Sequence, residues 1–395
     1  MNDLNLINSL KRLSNEVFRD ALFIRRKLHQ FPELSWKEDE TIKFLKLELE
    51  KVINPLFCIY EKKGGLIVDY TENSSYERDL FRADIDALPI EESTGLEFSS
   101  KREGIMHACG HDFHAAMLFA AIKAISNGNL NLSKNLRFVF QRAEEVPIAV
   151  SGGYCLQQEG LFDDVRACYA LHIDSKGDRG VFKSKSGPML ANPCHVKLKV
   201  KADGGHVSRP HLGSNAIDLL LDIQLALREF FKQEDHLKDL VVYAPSILSA
   251  GVTCNVMPDH GEICFSLRNF LDQEKKKALL KKLEKMAHKI ASKYKNGEIE
   301  SFFVMEGFPV LVNDEQEYIK TKNLLLKANL KTKESLPFFA GEDFSYYLQK
   351  KPGVYWSIGA KQGQGFDHHT AQFNPDESVM EEGVLFWLLL ATHDF

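Results

Sequence analysis

The spacing of hydrophobic and polar residues changes several times along the chain. Residues 4–30 place apolar side chains at helical intervals, and a second such segment covers about 36–52. Short apolar runs between turn residues follow, and they predict strands at Gly64–Tyr70 and Leu80–Asp86. The chain is therefore expected to open with two helices and to continue into a sheet.

Helices and strands alternate in the next part of the chain. Ala115–Ile125 is rich in strong helix formers, whereas Leu136–Gln141 and Ala167–Ile173 have the composition of buried strands. Strands that alternate with helices favour an α/β fold with a central, mostly parallel sheet between helices.

The order of elements is different between about 190 and 308. The pattern there predicts strand, helix, strand, strand, helix and strand, at His195–Ala202, Ala216–Phe231, Val241–Leu248, Gly261–Leu267, Gln273–Tyr294 and Glu298–Met305. This βαββαβ order is that of a ferredoxin-like α+β module. We therefore expect an inserted domain at 190–308 and a discontinuous first domain made of 1–189 and 309–395.

Composition narrows the class of protein. The 395 residues exceed the size at which one core usually stops growing, and 44% hydrophobic with 27% charged residues excludes a disordered or fibrous chain. The net charge is -5 and no basic face is evident, so we expect no nucleic-acid partner. No window approaches the roughly 20 apolar residues of a membrane helix. Seven scattered cysteines and an N-terminus without a signal-peptide pattern favour reduced thiols and a cytoplasmic location.

The segment from His107 to His114 carries the densest chemistry of the chain. It holds three histidines, a cysteine and an aspartate within eight residues. Nitrogen, thiolate and carboxylate donors together suit zinc, manganese, cobalt or nickel, whereas calcium and magnesium prefer oxygen ligands. The alternative is a histidine-rich helix start with one buried free cysteine, although such groups are costly to bury without partners.

Other polar residues follow the predicted strands. Asp84 and Asp86 end one strand, Glu144 and Glu145 follow the next, and His172 closes a third. Ligands of open α/β sheets collect beyond the carboxyl ends of the strands, so these side chains are expected at one edge of the sheet, where His369 joins them from a later loop.

The pair Glu144-Glu145 has a specific use beside metal ligands. One carboxylate can bind an ion while the other removes a proton from water that the ion has activated. Among the other histidines, His29 lies on a charged helix and is expected to be a structural or surface residue rather than a catalytic one. His206 follows two glycines in the second domain, and we consider it a functional candidate on an exposed loop.

Taken in their order along the chain, these motifs resemble those of the amidohydrolase branch of the dinuclear metallo-aminoacylase and carboxypeptidase family. That branch includes hippurate hydrolases, auxin-conjugate hydrolases and N-acetyldiaminopimelate deacetylases. The resemblance spans nearly the whole chain. The segments that carry it are 25–34, 82–90, 106–112, 141 with 143–145, 171–172, 205–206, 255–258, 341–344 and His369.

The resemblance implies a zinc-peptidase-like catalytic domain with two divalent metal ions per subunit, and an inserted lid that also forms a homodimer. Carried over residue by residue, Cys109 would bridge the two ions as a thiolate. His111 and His172 would complete the ligands of one ion, and Glu145 and His369 those of the other.

The resemblance also implies roles around the ions. Glu144 would be the general base, and Asp86 would orient a ligand and support the base. From the lid, His206 would hydrogen-bond the oxyanion in the site of the neighbouring subunit, whereas Asn255 and Arg268 would meet the substrate carboxylate.

Together these features predict a hydrolase that cleaves the amide bond of small N-acyl amino acids or short peptides. Two alternatives remain: a carboxypeptidase or dipeptidase with the same ions, and a metal-binding or peptide-binding protein without turnover. The chain departs from the pattern of the family it resembles at Arg142, where members usually carry proline, and at Thr370-Ala371, where they usually carry Ser-Pro. Arg142 places a cation beside the Glu pair, which either tethers an acidic substrate or disturbs the base.

Overall fold

The computed structural model describes residues 3–128, 130, 132–146 and 150–393. They divide into two compact units. Unit 1 contains residues 1–189, 311–336 and 343–395 within those described ranges, and unit 2 contains 190–310 and 337–342. The short segment 337–342 was not part of the predicted insertion.

The helices are numbered in chain order. They are α1 Asp3–Glu16, α2 Phe18–Gln30, α3 Asp39–Glu50, α4 His111–Asn127, α5 Gly152–Gln158, α6 Ala216–Gln233, α7 Gln273–Ala291, α8 Glu315–Lys327, α9 Ser345–Leu348 and α10 Met380–Thr392.

The strands are numbered in the same way. They are β1 Phe57–Lys62, β2 Gly65–Tyr70, β3 Arg78–Asp84, β4 Asn135–Gln141, β5 Val165–Asp174, β6 Val181–Ser184, β7 Gly187–Leu190, β8 Asn192–Lys201, β9 Gly205–His206, β10 Val241–Ala250, β11 Val256–Met257, β12 His260–Asn269, β13 Glu298–Glu306, β14 Leu311–Asn313, β15 Lys331–Glu334 and β16 Gly353–Gly359.

Unit 1 is built on an eight-stranded sheet in the order β1-β2-β4-β3-β5-β16-β6-β15. Its middle strands β4, β3, β5 and β16 are mutually parallel, so their carboxyl ends meet at one edge. Successive residues of a strand face opposite sides of a sheet, and every residue of β2 and β4 is buried. Both faces of the sheet are therefore covered, which confirms the predicted α/β arrangement.

Helix α4 is the central helix of this core. All of its residues from His111 to Ile122 are buried, and it packs against α2 and α10. A helix that is hydrophobic all round belongs inside a protein. The helix begins four residues before the predicted Ala115, because Gly110 adopts the left-handed region with φ 92° and starts the helix directly at His111.

Unit 2 has a four-stranded antiparallel sheet in the order β10-β12-β8-β13. The helices α6 and α7 pack on this sheet, and side chains along β8 change from buried to exposed in alternation. One face of the sheet is therefore packed and the other is open. The observed element order is the predicted βαββαβ order, and the strand order is that of a ferredoxin-like module. A separate pair, β9 and β11, lies beside it.

No helix within the described ranges is both long and apolar enough to cross a membrane.

A substitution at Gly110 tests whether the start of α4 requires a residue without a side chain. A Cβ at Gly110 would lie 3.2 Å from the Cβ of Ile173 and would keep a left-handed φ. We expect Gly110→Ala to lower the free energy of unfolding by about 2–3 kcal/mol, since alanine strain alone costs about 1–2 kcal/mol. Gly104→Ala is the control, because Gly104 has φ 70° and open space around it. Urea unfolding of the metal-free protein measures both, and equal losses would contradict the role of Ile173.

Candidate metal centre

Five donor residues meet at the carboxyl edge of the parallel strands. Cys109, His111 and His172 place one donor atom each within 4.8 Å of one another, and so do Cys109, Glu145 and His369. Cys109 belongs to both groups. The structure therefore brings together all five residues that were predicted as metal ligands from the sequence, and the two donor groups share Cys109.

Individual distances support this convergence. The Sγ of Cys109 lies 3.6 Å from Nε2 of His172, and Nε2 of His369 lies 3.1 Å from Oε1 of Glu145. Nε2 of His111 is 4.0 Å from the same Glu145 oxygen. Glu144 also lies here, with a carboxylate oxygen within 4.8 Å of donor atoms of His111 and Glu145.

Hydrogen bonds determine which ring nitrogen of each histidine can bind a metal ion. Nδ1 of His111 lies 2.9 Å from the backbone oxygen of Asp86, and Nδ1 of His172 lies 2.7 Å from the backbone oxygen of Ile173. A carbonyl oxygen only accepts, so both Nδ1 atoms carry the proton. In the neutral rings that bind metal ions, the lone pairs are therefore on the Nε2 atoms, which are the atoms near Cys109 and Glu145. This is the usual arrangement behind a metal-bound histidine.

The donor set fits a divalent cation. Nε2 of His111 is buried and has no hydrogen-bond partner within the described chain. Buried polar atoms normally have partners, and an unpaired one requires an explanation such as an ion. A lone pair, a carboxylate oxygen and a sulfur that converge in this way match the preferences of zinc and similar ions.

Electrostatics of the protein without ions support the same conclusion. Burial, followed by the charges of Glu145 and Glu144, raises the pKa of the Cys109 thiol well above its ordinary value. Burial lowers the pKa of His111, but Asp84 and Asp86 outweigh it and raise the pKa to about 10. The cluster therefore holds excess negative charge, and a bound cation would favour the thiolate that ligation needs.

Asp86 connects several parts of the site. Its Oδ1 lies 3.1 Å from Nδ1 of His111, and its Oδ2 accepts hydrogen bonds from the backbone N–H of Glu145 at 2.9 Å and from Ser35 Oγ at 2.6 Å. One buried carboxylate therefore orients a proposed ligand and also holds the backbone of another.

His114 lies beside the site, and both of its ring nitrogens are hydrogen-bonded. Its Nδ1 lies 2.5 Å from Oδ1 of Asp84, and its Nε2 accepts from the backbone N–H of Ile173 at 2.9 Å. His114 is thus a support between α4 and β5, and it has no free lone pair for an ion.

His29 is buried, as expected of a structural histidine. Its Nδ1 lies 2.8 Å from Oδ2 of Asp112, and the same oxygen accepts from Nε of Arg25 at 2.9 Å. Arg25 also donates to Glu377 at 2.9 Å. These bonds hold α2 against the beginning of α4, where His111 lies.

His368 is a residue that the sequence reasoning did not single out. Its Nδ1 lies 3.9 Å from Sγ of Cys109, and its Nε2 accepts from the backbone N–H of Ser175 at 3.4 Å. Its position directly before His369 was the available signal. His369 itself has φ 61°, a left-handed conformation that non-glycine residues adopt only where the surroundings impose it.

Arg142, which directly precedes Ala143 and the Glu pair, is paired with another residue. Its Nη1 donates to Oδ1 of Asp39 at 2.7 Å, and only 15% of the side chain is exposed. The cation beside the Glu pair is therefore largely neutralised by the first turn of α3.

The three candidates of unit 2 lie in two places. His206 and Asn255 are both exposed and lie beside each other at the β9–β11 pair, where the backbone oxygen of Asn255 accepts from Val207 at 3.5 Å. Arg268 is the next-to-last residue of β12 and is half-buried. Among the described residues it forms no ion pair, and burial lowers its pKa.

A parallel sheet with cysteine, histidine and carboxylate donors at its carboxyl edge, together with a ferredoxin-like insertion, defines a metallohydrolase of the peptidase type. Residues 80–393 match the peptidase family M20/M25/M40. The chain belongs to this family, which confirms the predicted family, its fold and its class as a hydrolase.

Relatives cover nearly the whole chain. Thermostable carboxypeptidase 1 of Saccharolobus solfataricus is 33% identical, over 98% of this chain and 98% of its own. N-acetyl-L-cysteine deacetylase of Bacillus subtilis is 33% identical, over 97% and 91%. Among solved structures, the YXEP protein of Bacillus subtilis, a dinuclear metal-binding peptidase of the M20 family, is similar with a TM-score of 0.82 and 27% identity, over 96% of this chain and 98% of that one.

Substitution of Asp86 tests whether its carboxylate organises the metal ligands. Asp86→Ala removes the side-chain partners of His111 and of the Glu145 backbone, so metal affinity should fall about 10–100-fold, as is typical for such supporting residues. Competition with a chromophoric chelator measures the affinity. The exposed Asp178 supplies the control Asp178→Asn. Unchanged affinity in the Asp86 variant would show that the carboxylate does not organise the ligands.

Proposed function

We propose that the protein is a metal-dependent amidohydrolase that converts a small N-acyl amino acid and water into a carboxylate and an amino acid. The observation that carries this proposal is the shared position of Cys109 between two donor groups, with Glu144 beside them. The deacetylase names of several relatives, including an N-acetyldiaminopimelate deacetylase of Enterococcus faecalis at 30% identity, agree with it.

The proposed cofactor is a pair of divalent ions, zinc, manganese, cobalt or nickel. Cys109 would contact both ions, His111 and His172 would complete one set of ligands, and Glu145 and His369 the other. When bound, such ions lower the pKa of water and polarise a carbonyl group. The hydrogen bonds at Nδ1 of His111 and His172 make Nε2 the ligand atom of each neutral ring, and His111 would release its second proton on loading.

Glu144 is the proposed general base and acid. Its carboxylate takes a proton from the attacking water and later gives a proton to the leaving amine, which balances the hydrolysis. Asp86 supports it by holding the Glu145 backbone. His206 of unit 2 is the proposed donor to the oxyanion in the site of the neighbouring subunit. Asn255 and the unpaired cation of Arg268 are proposed to meet the substrate carboxylate.

Adjacent substitutions separate the two roles of the Glu pair. Glu144→Gln should keep the metal content of the wild type while kcat falls about 10²–10⁴-fold, because only proton transfer is lost. Glu145→Gln should instead lower the metal content, since it removes a charged ligand. Elemental analysis and hydrolysis of N-acyl amino acids measure both effects. Near-normal turnover by Glu144→Gln would exclude it as the base.

A second candidate function is a carboxypeptidase or dipeptidase with the same ions. It is favoured by two Saccharolobus solfataricus relatives, thermostable carboxypeptidases 1 and 2, at 33% and 32% identity. A panel of acetylated and benzoylated amino acids and of dipeptides, run separately with each of the four metals, distinguishes the two. Hydrolysis that a chelator abolishes and a divalent ion restores excludes the third possibility, a binding protein without turnover.

We also propose a homodimer through unit 2. Strand β10 is an edge of its sheet and exposes Ile247 and Leu248, at 48% and 51%. The neighbouring α6 exposes Ile217, Leu221 and Leu225, which recur every four residues on one face. An open edge strand beside an apolar helix face favours pairing with a second copy about a two-fold axis. The predicted cytoplasmic location stays a prediction.

Light scattering tests this interface. The wild type should have about twice the chain mass of 44.9 kDa, and Leu225→Asp combined with Ile247→Asp should approach the single mass. Ile319→Asp is the control, since Ile319 is 48% exposed on α8 of unit 1. A monomeric wild type, or a dimer unaffected by the double substitution, would exclude this interface.

A further inference from the structure

The Glu pair follows a sharp turn whose geometry is imposed by its surroundings. Strand β4 ends at Gln141, and Ala143 is in the left-handed region with φ 51°. An alanine reaches this region only at an energetic cost, so other contacts must hold it there. The backbone N–H of Ala143 donates to Oε1 of Glu38 at 2.8 Å.

Glu38 is fully buried at the N-terminal end of α3. No hydrogen bond to its second oxygen, Oε2, is found within the described chain. The nearest cation is Nη1 of Arg142 at 3.7 Å, and that atom is bonded to Asp39 at 2.7 Å. Burying a carboxyl without a close ion pair is unfavourable, so its retention here calls for a reason other than stability.

Two buried carboxyl groups hold the backbone on either side of Glu144. Glu38 accepts from the N–H of Ala143, one residue before it, and Asp86 accepts from the N–H of Glu145, one residue after it. The orientation of the Glu pair is therefore set by α3 and by the loop after β3. Asp86 was recognised from the sequence, whereas Glu38 was not.

We propose that Glu38 is a positioning residue, which holds the turn at Ala143 and so sets where Glu144 and Glu145 lie. The proposal deepens the proposed function, because it takes the roles of those two residues from it. It assigns no contact between Glu38 and substrate or ion.

The ionisation of Glu38 supplies an independent signature. Burial, and then the charge of Asp86, raises the pKa of Glu38 to about 7. The charged groups that face it are Asp86 after β3 and Arg142 after β4, with Asp39 beyond Arg142 on α3. Since the pKa in the folded state is above that of an unfolded glutamate, this group reduces stability increasingly as the pH rises from about 4.5 to 7. A glutamine at this position keeps an acceptor and carries no charge.

The test compares Glu38→Ala, Glu38→Gln and the control Glu40→Gln, which neutralises an exposed carboxylate of α3. Glu38→Ala leaves the Ala143 N–H without its acceptor, and kcat should fall roughly 10–100-fold with KM within about threefold, because the base is displaced. Glu38→Gln and Glu40→Gln should stay within about threefold of the wild type in kcat. Wild-type kcat in Glu38→Ala would overturn the proposal.

A second readout does not depend on turnover. In the cobalt-loaded proteins, the visible spectrum should change in Glu38→Ala and return to that of the wild type in Glu38→Gln. An unchanged spectrum in Glu38→Ala would overturn the proposal even if the wild type hydrolysed no substrate tried. Absence of hydrolysis by the wild type would count against the proposed function alone.

The pH signature is measured on the metal-free proteins. The urea midpoint of Glu38→Gln relative to the wild type should be higher at pH 8.5 than at pH 5, because only the wild type must ionise a buried group over that interval. Glu40→Gln should show no such rise. If the midpoints of Glu38→Gln and the wild type differ by the same amount at both pH values, Glu38 ionises normally. That result would overturn the inference that Glu38 is held at this turn as a buried carboxyl with a raised pKa.

Discussion

The bond between His111 and Asp86 is the interaction on which the organisation of the site depends. It keeps a proton on Nδ1, so Nε2 becomes the lone pair for an ion once the second ring proton is released. The same carboxylate binds the Glu145 backbone and Ser35, so it links the start of α4, the turn after β4 and the chain before α3. The donors are therefore preorganised by ordinary hydrogen bonds to backbone and carboxylate groups, and the free energy needed to arrange them is supplied by folding.

Charge balance explains why this edge of the sheet suits a cation. Arg82 donates to Asp84 at 2.7 Å and to Asp343 at 2.6 Å, and both carboxylates are fully buried. One guanidinium does not neutralise these two groups together with Asp86 and the Glu pair. The high pKa of His111 is one response to that excess, because a proton there supplies a positive charge. A divalent ion supplies more, and its binding would release protons.

Much of the site could be predicted from the sequence, because ligand types and strand ends are local signals. Cys109, His111 and Glu145 follow or precede predicted elements, and parallel strands bring such positions to one edge. Glu38, His368 and Arg25 could not be assigned in this way. Their contacts depend on tertiary packing, as with the Glu38 carboxyl, which meets a backbone N–H more than a hundred residues away. The early start of α4 depends on the left-handed Gly110, which spacing alone does not indicate.

The insertion of unit 2 has a consequence for how the site is made on the ribosome. Cys109, His111, Glu145 and His172 all emerge before unit 2, whereas β16 and His369 emerge only after it. While unit 2 is being synthesised, the nascent chain contains every residue of the first donor group. The second donor group still lacks His369, and the sheet still lacks β16 next to β5. The second donor group is therefore complete only after the chain beyond unit 2 has been made, whereas every member of the first precedes unit 2.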